Sequence, residues 1–131
     1  MFKVIITLSF IFLNILSANL LQDAINKAPS GSILKLPKGV YKGSIKIDKP
    51  ITIIGKEDGV IIDGEQIGTV ITITAPYVTL KNLTIRGSGN RHDSLDAAIK
   101  ISNSKQSEIS DCIIEDSLFG IDIAMTNNSL F

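Results

Sequence analysis

The feature that most constrains this chain is a short apolar pattern that keeps returning in register. Ile45 and Ile47, Ile71 and Ile73, Ile99 and Ile101, and Ile121 and Ile123 each stand two residues apart, and successive pairs are offset by 26, 28 and 22 residues. A second series runs Ile51 and Ile53, then Val78 and Leu80, and a third runs Leu83 and Ile85, then Cys112 and Ile114. Segment 78–88 lies over segment 107–117 at an offset of 29 with no gap. Self-similarity at this period means stacked units, none of which can bury its apolar side alone.

Within each unit the hydrophobic period is two. Ile33 to Leu36, Val40-Tyr41, Ile45 to Ile47, Ile51 to Ile54 and Val60 to Ile62 are short β-branched runs. Gly, Pro, Asp and Asn bound them, as expected for strands with one dry face. The connections are too short for the crossover helices that ordinarily join parallel strands. Because each strand matches another one period away, like strands are expected to stack on like strands. That arrangement is a parallel β-helix with three short strands per coil. Asn82 and Asp111, equivalent under the offset of 29, fall between two strands of a coil, and both tolerate the left-handed backbone of a tight corner. Gly55, Gly64 and Gly120 are also expected at corners. The spacing of 22 between Ile101 and Ile123 reads as the bare coil, so the 28 before it places about six extra residues in a loop over 86–96 (RGSGNRHDSLD).

The chain's ends read differently. Residues 1–18, with Lys3 before a mostly apolar run and Leu16-Ser17-Ala18 after it, have the layout of a cleaved secretory signal peptide, the run being too short to span a membrane. Residues 19–32 are expected to form an amphipathic helix, ended by Pro29-Ser30-Gly31, that caps the first coil. The β-helix occupies 33–131. Its last strand, beginning near Gly120, has no visible cap, so the chain is expected to be C-terminally truncated. The 113 residues after Ala18 carry 12 basic and 13 acidic side chains, a near-neutral total that gives no footprint for nucleic acid or an anionic membrane. Cys112 is the only cysteine, which excludes a disulfide scaffold.

Few residues suggest chemistry. In the 86–96 loop, His92 with Asp93 and Asp96 could ligate a metal, and Arg86 with Arg91 could grip an anion, but a lone imidazole falls short of a transition-metal ligand set. A solvated insertion or a partner contact fits better. Gly87 and Gly89 read as backbone hinges, because no helix follows to make a phosphate cradle. The carboxylates are scattered; only Glu115 and Asp122 approach one another under the stacking. Cys112 reads as a small buried hydrophobe, and Met125 as a residue near the open end. No catalytic, cofactor-binding or metal residue is assigned, and no cofactor is expected.

The stretch LQDAINKAPSGSILKLPKGVYKGSIKIDKPITIIGKEDGVIIDG resembles the N-terminal part of pectin-lyase-like right-handed β-helix proteins. KPITIIG, VIIDG, VTLKNLTIRGSG and AAIKI are similar, more narrowly, to the NosD family of periplasmic accessory proteins for nitrous oxide reductase maturation. The resemblance implies a non-enzymatic, all-β right-handed parallel β-helix of about four coils with an N-terminal capping helix. It also implies periplasmic location and work in copper–sulfur centre assembly. The implied partners are the reductase and an ABC transporter's membrane and nucleotide-binding subunits; no nucleic acid is implied, nor a membrane span after signal cleavage. A truncated chain is expected to be inactive by itself. The alternative is a secreted β-helix that binds or cleaves a polysaccharide, which the lack of Trp and of a carboxylate cluster disfavours.

Overall fold

The computed structural model describes residues 5–7, 15–124 and 130–131, and side chains from Leu20 onward. The chain winds as a right-handed parallel β-helix. An opening turn holds β1 (Ile5–Thr7), β2 (Ile15–Ser17) and α1 (Ala18–Lys27). Coil one holds β3 (Ile33–Leu36), β4 (Gly39–Lys42) and β5 (Ile45–Ile47). Coil two holds β6 (Thr52–Gly55), β7 (Val60–Asp63) and β8 (Ile71–Ile73). Coil three holds β9 (Thr79–Lys81), β10 (Thr84–Arg86) and β11 (Ala97–Ser102). Coil four holds β12 (Glu108–Ser110), β13 (Ile113–Glu115) and β14 (Phe119–Ala124).

Every third strand pairs in parallel with its predecessor, which makes three sheets: β1-β3-β6-β9-β12, β2-β4-β7-β10-β13 and β5-β8-β11-β14. The register in the third sheet is the one the isoleucine spacing demands. Ile45, Ile71, Ile99 and Ile121 lie in one column, and Ile47, Ile73, Ile101 and Ile123 in the next. Ile53 over Leu80 and Ile85 over Ile114 extend the agreement to the other two sheets. These side chains fill a single interior; Ile47, Ile53, Ile62, Ile71, Ile73, Leu80 and Ile101 are wholly buried. Each such side chain contributes about 1.5–3 kcal/mol relative to exposure, and each needs a packed layer on both sides of it.

Helix α1 occupies the third-strand position of the opening turn. Its buried residues Leu21 and Ile25, followed by Ala28, repeat at the spacing of one helical face. Above β5, where the next strand would pair, Gln22 supplies the missing hydrogen bonds. Its Oε1 accepts from the Lys46 amide at 2.7 Å, and its Nε2 donates to the Lys46 carbonyl at 2.9 Å. At the other end of the helix, Lys49 Nζ donates to the carbonyls of Asn26 (2.8 Å) and Ala28 (3.0 Å), groups a helix C-terminus leaves open. The expected capping helix is thus present, and one side-chain amide stands in for a strand edge. Of the expected signal peptide, residues 1–4 and 8–14 lie outside the described residues, while Ile5–Thr7 and Ile15–Ser17 pair with β3 and β4. Met125 also lies outside them.

The corners follow the sequence argument with one correction. Asn82 and Asp111 have φ of 57° and 52°, and the Asn82 side-chain Nδ2 donates to the Gly55 carbonyl at 3.0 Å, tying two coils together. Gly55 is required by close approach: a Cβ there would sit 2.1 Å from the Asn82 carbonyl oxygen. Gly120 is no corner. It lies within β14, with open space where its Cβ would be.

Candidate functional site

The polar region with the most internal structure is the corner between the second and third sheets, where loops 64–70, 87–96 and 116–118 leave coils two, three and four. The loops are stitched to one another. Gln66 N–H donates to the Gly87 carbonyl (2.8 Å), Gly89 N–H to the Gly68 carbonyl (2.8 Å), and Gly87 N–H to the Asp116 carbonyl (2.9 Å). The buried Ser88 hydroxyl accepts from the Leu118 amide at 2.9 Å. Gly87 and Gly89 are therefore parts of a packed seam and not hinges: a Cβ at Gly89 would lie 2.3 Å from Asp96 Oδ2, and one at Gly87 2.6 Å from Asp63 Oδ1. Gln66 Nε2 donates to Asp116 Oδ2 at 2.7 Å, reaching from coil two to coil four.

The sequence-derived candidates do not converge. Asp96 closes its own loop, accepting from the Arg91 amide (3.0 Å) and the Ser94 hydroxyl (2.8 Å). The Ser94 bond and then the Arg91 amide hold its carboxyl below the usual range. Asp93 pairs with Arg91 through two exposed bonds of 3.3 and 3.0 Å. His92 meets the Phe119 ring edge-on, with centroids 6.0 Å apart and planes at 89°. Among the described residues, no three His, Cys, Asp or Glu side chains gather as a metal-binding group.

Arg86 does not join Arg91 around an anion. Its Nε donates to Asp63 Oδ2 at 3.0 Å, while the Glu65 amide donates to Asp63 Oδ1 at 2.8 Å. Burial works to raise the Asp63 carboxyl, but the Glu65 amide and the Arg86 guanidinium outweigh it and leave it below the usual range. Register explains the pairing, since Lys42, Asp63, Arg86 and Glu115 form one column of alternating charge on the outer face of the second sheet. Glu115 thus faces Arg86, while Asp122 lies on the third sheet beside Lys100, 4.0 Å away. The two carboxylates that stacking seemed to bring together belong to different faces.

Cys112 is half-buried against the core, and burial pushes its thiol up. It lines an opening of about 450 Å³ at the last coil, together with Ile109, Ile114, Ile121, Leu130 and Phe131. Leu130 pairs onto β12 there: its amide donates to the Ser107 carbonyl at 2.8 Å, and its carbonyl accepts from the Ile109 amide at 2.9 Å.

Sequence reasoning missed Gln66, Asp116 and the 64–70 loop. The signal was available, since the 26 residues from Ile45 to Ile71 exceed the bare coil of 22 just as the next interval does. Chemically, the corner is a polar surface on which Asp63 and Asp93 are ion-paired with Arg86 and Arg91, while Asp96 and Asp116 are held by neutral donors.

No family model matches the chain. It is 36% identical over 64 residues to a probable ABC transporter binding protein, NosD, of Pseudomonas aeruginosa, a match over 49% of this chain and 15% of that protein. Among solved structures it is similar to an alginate lyase from a Paenibacillus species, with TM-score 0.69, 20% identity, and coverage of 97% of this chain and 44% of that one. A PL6 family alginate lyase, AlyGC, matches at TM-score 0.61 and 18% identity over 97% of this chain and 20% of its own. A pectin methylesterase matches at 0.58 and 16% over 83% of this chain and 44% of its own. These likenesses establish the β-helix fold. The chain spans less than half the length of each of these proteins.

Proposed function

We propose that this chain is a NosD-like accessory β-helix that acts in the periplasm beside an ABC transporter, in assembly of the copper–sulfur centres of nitrous oxide reductase. The observation carrying this reading is the 64-residue match to NosD of Pseudomonas aeruginosa, a probable ABC transporter binding protein. The geometry is consistent with a contact role. The outer face presents paired charges on a stiff scaffold, with Asp63 held by Arg86 and Asp93 by Arg91. A general base or acid instead needs a carboxyl free to exchange its proton with substrate. On this reading the chain is non-enzymatic. No helix among the described residues is long and apolar enough to cross a membrane.

The second reading, a secreted polysaccharide-binding or -cleaving β-helix, is favoured by the enzymes among the structural neighbours. One pair of experiments separates the two. Tagged chain, exported in its own host, should retain the transporter's membrane subunit on affinity purification. Incubated with alginate or pectin, it should release neither unsaturated uronides nor methanol. Turnover of either polymer, with no transporter retained, would replace the first reading by the second.

A further inference from the structure

The balanced total charge conceals an axial separation. From Ala18 to Ile51, α1 and coil one carry six lysines against only Asp23 and Asp48, a net charge of +4. From Thr52 onward there are eleven carboxylates against six cations, a net of −5. The lysines surround the first coil. Lys35 lies on the first sheet, Lys42 on the second and Lys46 on the third; Lys38 and Lys49 sit at corners, and Lys27 ends the helix. Lys27, Lys38, Lys42 and Lys46 are exposed. Among the described residues none of the six forms an ion pair, whereas Arg86, Arg91 and Lys100 of coil three all do.

We propose that the helix-capped, lysine-ringed end of the solenoid docks end-on against an anionic phospholipid surface. Three features favour a lipid plane over a protein patch. Charge on all three faces of one coil can act together only on a surface that meets the end of the solenoid, since a partner lying along one face would use a third of it. The cations are lysines alone, point charges suited to diffuse attraction, without the bidentate fork of arginine that specific protein pairing uses. The acidic coils stand farther along the axis, so an anionic plane both attracts the near end and repels the far one, which sets orientation. Stacked strands are about 4.8 Å apart and a helix is about 10 Å across, so the one layer between the lysine ring and such a plane is comparable to the Debye length of about 8–10 Å. The near-zero total read from composition is therefore a poor guide to membrane affinity in this molecule. The inference does not depend on the NosD-like reading.

The test is co-sedimentation of the full chain with phosphatidylcholine vesicles, with and without about 30% phosphatidylglycerol, at low and high salt. The apolar 4–16 run would bind both kinds alike, so the difference between them is the readout. Binding should rise roughly tenfold or more with the anionic lipid and vanish near 0.5 M salt, at which a Debye length of about 4 Å no longer reaches the lysines. The quadruple Lys35→Gln, Lys38→Gln, Lys42→Gln, Lys46→Gln variant should lose the difference while keeping its circular dichroism spectrum. A Lys81→Gln, Lys105→Gln variant should keep it. Equal binding to both vesicles overturns the proposal. So does indifference to vesicles combined with salt-sensitive retention on polyglutamate resin, which would assign the ring to an acidic protein.

Discussion

Ile101 and Ile123 stand in the same column of the same sheet, one coil apart, yet Ile101 is fully buried and Ile123 is 44% exposed. Ile99 and Ile121 differ in the same sense. Nothing local distinguishes them; the difference is that coil three has a neighbour on both sides. At the opposite end of the solenoid, α1 and the Gln22 amide cover Ile45 and Ile47, which stay buried despite belonging to the first strand of their sheet. Burial in a solenoid is a property of the stack, and a residue's place along the axis sets its energetic weight.

That contrast can be broken most directly by a buried charge. Ile101→Asp should unfold the chain, since an unpaired carboxylate in this interior costs upward of about 5 kcal/mol. Ile123→Asp should lower the unfolding free energy from urea titration by less than about 1 kcal/mol. Equal effects at the two positions would remove the positional argument. Glycines give a second contrast. Gly55→Ala drives a methyl into the Asn82 carbonyl and should cost about 3 kcal/mol, whereas Gly120→Ala enters open space and should leave thermal stability unchanged or raised by about 0.5 kcal/mol.

A pH series sharpens the same comparison from inside coil one. Burial pushes the Tyr41 phenol up to about 12, and its hydroxyl donates to the Pro37 carbonyl at 2.8 Å. The native state therefore holds this proton more tightly than the unfolded chain. Its stabilisation is complete below the ordinary value of about 10 and declines as pH rises toward 12, by about 2–3 kcal/mol in all. Urea midpoints should fall above pH 10 in the wild type and more gently in Tyr41→Phe. Asp63 has the opposite sign. Its lowered carboxyl contributes above about pH 4, and that contribution is lost as pH falls through the folded-state value. A local effect is expected at the cap. Gln22→Ala should cost about 1 kcal/mol, because the Lys46 peptide group it leaves is exposed enough to bind water; hydrogen exchange at the Lys46 amide should quicken locally, with other strands unchanged.

Three sheets, their register and the left-handed corners at Asn82 and Asp111 were legible in the chain itself. A period-two pattern repeated at nearly constant spacing admits one stacking that keeps every isoleucine inside, since a slip of one residue would turn each inside out. The alternating column Lys42, Asp63, Arg86, Glu115 follows from that register but is visible only once the coils are laid over one another. The stack decided the rest. It spent Arg86 on Asp63, placed Glu115 and Asp122 on different faces, turned Gly87 and Gly89 into a buried seam and set five lysines around coil one with a sixth at the end of α1. All of these depend on which residues, distant in sequence, become neighbours across coils or around a corner, and pattern alone does not carry the loop geometry that makes them so.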